Sequence, residues 1–65
     1  MNIPPAKLRK ARKANGISER QVSLHLGINT HMLQQFENGR IELGKDLVYR
    51  YWRYLTVELK IKIRL

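Results

Sequence analysis

The sequence has no cysteine. Disulfides and thiolate metal sites are thereby excluded as sources of stability. Acid is scarce too, with five Asp and Glu and two His in 65 residues. Such a set leaves little for acid–base chemistry, and a chain this short encloses a poor cleft. Both points argue against an enzyme, and no cofactor is expected. No apolar run approaches the ~20 residues of a membrane span, and no stretch reads as a signal peptide. The expectation is a soluble, cytoplasmic chain with no membrane partner.

What is present is apolar residue and base. Hydrophobic residues make up 43%, enough for a core and too many for a disordered basic tail. The length suits one domain. A domain of this size buries about 60% of its unfolded surface and is marginal alone, so a partner chain is expected to add buried surface. The formal charge is +8, from 13 Lys and Arg. Residues 1–13 hold Lys7, Arg9, Lys10, Arg12 and Lys13 and no acid. Residues 14–39 are nearly neutral, and residues 40–65 are basic again. Two basic ends around a neutral middle suit a protein that grips a polyanion and reads something uncharged.

Pro4-Pro5 can open a helix, because a first-turn proline loses no intrahelical hydrogen bond. Residues 6–14 read as that helix, ended by Asn15-Gly16. Ser18 caps a second helix and, with Gln21, makes a capping box; Val22 and Leu26 form its apolar stripe and Gly27 stops it. Asn29 caps a third helix, Thr30 to about Glu37, with Leu33 and Phe36 facing inward. Asn38-Gly39 ends it. Asp46 is the expected cap of a fourth helix, whose Leu47, Val48, Tyr51, Trp52 and Leu55 fall on one broad face. From Val57 to Leu65 apolar and charged residues alternate without error, which predicts a strand. One strand cannot satisfy its own backbone, so the pattern predicts pairing with a second molecule.

Residues 18–37 thus predict two short helices across a tight turn at Gly27-Ile28-Asn29, a helix-turn-helix arrangement. From Leu8 to Leu55 the chain resembles the Cro/C1-type (XRE) helix-turn-helix family of phage repressors and bacterial regulators. The resemblance rests on "LRKARKANGIS", "VSLHLGI" and "FENG", with the family's spacing throughout. It implies a mainly α, four-helix, lambda-repressor-like domain over residues 1–56. The ending looks more like HipB-type antitoxins, which implies a C-terminal β-strand arm, residues 57–65, pairing between subunits.

The resemblance makes the third helix the recognition helix. Thr30, His31 and Gln35 match positions that face base edges in the major groove, with Gln34 nearer the flank. The chemistry agrees, since Gln pairs bidentately with adenine, His donates to guanine, and a Thr methyl meets a thymine methyl. Glu37 matches a structural acid paired with a first-helix Arg, here Arg12, which the resemblance also holds near a phosphate. Asn38 and Arg40 match phosphate contacts, Ser18 faces phosphate at a helix N-terminus, and Lys13 joins them. Val57, Leu59, Ile61, Ile63, Leu65 and Trp52 are the expected dimer contacts. The aromatic residues of the fourth helix are expected in core and interface, not as a base-stacking platform, and His25 with His31 is not expected to bind metal.

Three features depart from the family. Glu19 stands where a phosphate-contacting Gln is frequent, and an acid there repels phosphate. Ser23 stands where Ala is favoured, and the C-terminus lacks a fifth helix. The function this implies is a homodimeric repressor that binds double-stranded DNA at a palindromic operator. The alternatives are an antitoxin with a cognate toxin as second partner, and a protein-interaction module that kept the fold and lost DNA binding.

Overall fold

The computed structural model describes residues 3–64. Four α-helices follow in order: α1 (Pro5–Ala14), α2 (Glu19–Leu26), α3 (Thr30–Glu37) and α4 (Lys45–Arg53). One π-helical turn, Tyr54–Glu58, prolongs α4. Local chemistry accounts for the ends of the first three. Pro5 occupies the first turn of α1, where its missing N–H is no loss. Ser18 Oγ accepts from the Gln21 amide at 3.0 Å and Asn29 Oδ1 from the Met32 amide at 2.7 Å, each satisfying one orphan donor at its helix start. Gly27 follows α2 with φ +71°, a conformation that a Cβ disfavours.

Leu8, Val22, Leu26, Leu33, Phe36, Tyr51 and Leu55 form the core together with Ile3. Here α2 packs on α3 and α4, and α1 packs on α3. Each stripe read from the sequence supplies its share, with Leu33 and Phe36 from α3 and Tyr51 and Leu55 from the last helical stretch. Ile17, Ile28, Leu47, Val48 and Trp52 close around them, half-buried.

Several expectations are corrected. Asp46 does not cap α4; Gly44 holds that position without a side-chain bond, and Asp46 lies one residue inside, where its charge suits the helix dipole. The capping box at Ser18 is half made, because the Gln21 side chain donates instead to the Tyr54 hydroxyl at 2.8 Å.

The largest correction is the arm. Among the described residues there is no strand. Val57 and Glu58 belong to the π-helical turn, which carries Leu55 fully into the core. Burial of Leu55 outweighs the strand preference of the residues that follow. Thr56 Oγ1 donates to Trp52 O at 2.9 Å and the Leu59 amide to Tyr54 O at 3.0 Å, so the helical winding runs past Val57. Lys60 then turns the chain at φ +56°, and the Ile61 amide donates to Leu55 O at 2.8 Å. Beyond this point the alternation does act. Leu59, Ile61 and Ile63 are half-buried against the chain's own core, while Lys60, Lys62 and Arg64 are exposed. The segment ends over α1, where Lys7 Nζ donates to Arg64 O at 2.9 Å. Of the apolar face expected to meet a second subunit, Leu59, Ile61 and Ile63 are therefore used at home, while Val57 stays 54% exposed. Leu65 lies outside the described residues.

Candidate nucleic-acid interface

The orientation of α3 follows from what it buries. Leu33, Phe36 and Glu37 point inward, at 0%, 3% and 5% exposure. Helical geometry then forces His31, Gln34 and Asn38 to the opposite face. Thr30, His31, Gln34 and Asn38 are exposed and Gln35 is half-buried. Met32, 37% exposed, is the apolar residue among them. His31 Nε2 and Gln35 Nε2 stand 3.4 Å apart, one turn from each other. Gln34 Nε2 donates to Glu19 Oε2 at 2.6 Å, linking the outward face of α3 to the first residue of α2. The face thus offers amide, imidazole and hydroxyl groups, the set that matches base edges.

Behind this face lies a buried polar lock. Arg12 Nε and Nη2 donate to Glu37 Oε2 and Oε1, both at 2.9 Å, a fork-to-fork pair. Arg12 Nη1 donates to Ile17 O at 2.9 Å, fixing the turn between α1 and α2. The Tyr51 hydroxyl donates to the same carboxylate. Three helices, α1, α3 and α4, thereby meet at Glu37. The hydrogen bond that Arg12 donates to Glu37 raises the Arg12 pKa above its ordinary value, against the opposing pull of burial. Burial first, and then the bond to Glu37, push the Tyr51 phenol well above its ordinary value. The guanidinium stays charged and the phenol neutral, so the lock is an ion pair with one neutral donor.

This geometry corrects one expectation. The Arg12 side chain is 5% exposed and its three nitrogens donate within the protein, so it has no surface to offer a phosphate. Its role is structural. The other candidate phosphate ligands are free to act. Ser18 is exposed, and its Oγ accepts from Gln21, which leaves the hydroxyl proton to donate outward. Asn38 and Arg40 are exposed just past α3. Lys13 shares the outward surface of α1 with Arg9 and Lys10.

Two participants were missed by sequence reasoning. Tyr51 was read as one apolar residue of a stripe; a Tyr at a core position opposite a buried acid is the signal that its hydroxyl has a partner. Glu19 was read as a bare repulsive charge, whereas Gln34 holds it. The aromatic residues do not form a stacking platform. Tyr51 is buried, Tyr54 stacks on His25 at 3.9 Å and binds Gln21, and Tyr49, 48% exposed, stacks on Trp52 at 6.0 Å. His25 also pairs with Glu58 at 3.3 Å, which ties α2 to the π-helical turn. Among the described residues no three His, Asp or Glu gather in a metal-binding group. No helix among them is long and apolar enough to cross a membrane.

A family model described as a helix-turn-helix domain matches residues 6–61. The match takes in all but the first residue of the four helices and the whole π-helical turn, and it ends within the C-terminal segment. No curated protein and no solved structure matches the chain.

Proposed function

The chain belongs to the helix-turn-helix domain family, and from that membership we propose that it is a sequence-specific DNA-binding transcriptional regulator of the Cro/C1 type. One observation carries this reading. The second helix of the motif buries Leu33, Phe36 and Glu37 and exposes the polar Thr30, His31 and Gln34, with Gln35 half-buried and Met32 the one apolar residue exposed beside them. A protein-interaction module would place apolar residues on that face.

In this reading α3 enters the major groove. Gln35 pairs with adenine, His31 donates to guanine N7 or O6, Thr30 meets a thymine methyl, and Gln34 reads the flank. Ser18, Lys13, Asn38 and Arg40 hold phosphates and set the register. The protein works in the cytoplasm, as a repressor that occupies its operator. It does so as a homodimer, because a palindrome is read by two recognition helices about one DNA turn, ~34 Å, apart. Tyr49 on Trp52, together with Val57 at 54% exposure, leaves apolar surface on the last helical turns for a second subunit.

Selection of bound sites from a random duplex pool tests the proposal. The expected product is a palindrome with half-sites about one turn apart; a pool that shows no enrichment overturns it. If the dimer neutralises roughly 6–10 phosphates, affinity drops about 10³–10⁵-fold between 50 and 200 mM salt. Arg40→Ala flattens that slope, and Arg12→Ala acts through loss of fold instead.

A further inference from the structure

Glu19 is an acid at the edge of a surface read here as a DNA interface, and its carboxylate has one cross-helix partner. Gln34 Nε2 approaches Glu19 Oε2 at 2.6 Å, a short, charge-assisted bond. A carboxylate only accepts. It therefore dictates which end of the Gln34 amide faces it, and the NH₂ must turn towards Glu19. The amide oxygen of the exposed Gln34 is then left for another partner, with the remaining N–H beside it. The reversed amide would set two oxygens against each other.

We propose that Glu19 is a specificity-determining residue, which fixes the Gln34 amide so that Gln34 selects a base with an exocyclic amine. This rests on the DNA-binding reading above. In the major groove adenine presents an amine donor beside the N7 acceptor, and cytosine presents an amine. Both match a displayed carbonyl, and adenine also takes the free N–H. Guanine presents two acceptors and thymine a carbonyl, so each opposes the Gln34 oxygen. A Gln at position 19 both donates and accepts; it tolerates either amide orientation and loses the selection. The charge has a second effect, since an acid near the phosphates weakens binding to every sequence. Glu19 thus lowers general affinity while sharpening choice at one position.

The test compares the full chain, Glu19→Gln, Gln34→Ala and the double variant. Each is titrated against the selected operator, against operators changed at each half-site position, and against random duplex. At one position per half-site the parent should prefer the amine-bearing base about tenfold or more. Glu19→Gln should cut that preference to about twofold, on the same scale of contact energies, while binding random duplex more tightly. Gln34→Ala should lose the preference at the same position, and adding Glu19→Gln to it should change nothing further there. Glu19→Gln keeping the whole preference, or losing it where Gln34→Ala does not, overturns the role of Glu19 alone. A parent chain with no preferred sequence overturns the DNA-binding reading and this inference with it. Helical circular dichroism of each variant separates these outcomes from misfolding, which a substitution on this accessible face should not cause.

Discussion

The helix-turn-helix unit and the C-terminal segment each reverse the chain after a helix, and they do so with different residues. Between α2 and α3 the turn is made by Gly27 at φ +71°, and Asn29 caps the next helix at once. After the π-helical turn it is made by Lys60 at φ +56°. A left-handed conformation costs a side chain with a Cβ about 1–2 kcal/mol, and glycine almost nothing. The first turn is specified locally and would form in much of its own context. The second has a local backbone bond, Ile61 amide to Leu55 O, but is held otherwise from outside, by Lys7 on Arg64 and by half-buried Leu59, Ile61 and Ile63. A region that relies on few buried contacts opens first. Amide hydrogen exchange should therefore find the segment after Lys60 far less protected than Leu33 and Phe36.

The strongest way to break the helix-turn-helix side of this contrast is Glu37→Ala. It leaves the Arg12 charge buried without its partner, a loss of about 3–5 kcal/mol. A domain with only about 5 kcal/mol in hand should then be largely unfolded at room temperature, as read by urea titration.

Tyr51→Phe is gentler. It removes one hydrogen bond to a buried charge, about 1.5–3 kcal/mol. It also changes the response to alkali. The folded-state phenol pKa lies above its ordinary value of 10.0, so above pH 10 the unfolded chain releases the Tyr51 proton while the folded chain keeps it. Stability is therefore intact below pH 10 and declines as pH rises beyond it. The melting-temperature advantage of the parent over Tyr51→Phe should hold below pH 10 and shrink progressively as pH rises above it. A constant gap would show that the phenol titrates normally when folded.

Lys60→Gly should have the smallest effect and the opposite sign. Relief of the left-handed strain stabilises by about 1 kcal/mol, less the added freedom of glycine in the unfolded chain. A fall in melting temperature would show that the turn is not at Lys60.

The same contrast explains how far the sequence could be read. Ser18, Asn29, Gly27 and the Asn38-Gly39 pair act on neighbours within four residues, so the helices of the central motif were legible from composition and spacing. The outward polar set on α3 was legible for the same reason, since Leu33 and Phe36 decide it. The segment from Val57 was not, because its alternation is equally compatible with a strand and with an extended chain lying on a core. The winding that buries Leu55 decided between them, and periodicity carries no record of it. Lys60 hides the stop signal that a glycine would have displayed. Gln21 reaches Tyr54 and Gln34 reaches Glu19 across the fold, over 33 and 15 positions of sequence, where local rules have no purchase.

The lock at Glu37 has a consequence for how such a domain diversifies. Asn29 secures one end of α3 and the buried Arg12–Glu37–Tyr51 node secures the other, and neither anchor uses an outward side chain of α3 itself. Thr30, His31 and Met32, all exposed, consequently carry almost no share of the folding energy. They can be exchanged one at a time, or together, without the helix losing its seat. Gln34 is the exception, bound to a partner on another helix, so a change there calls for a matching change at Glu19. A lineage built on this scaffold would drift freely at three outward positions and in step at one pair, and a library randomised on the same plan would keep most of its members folded.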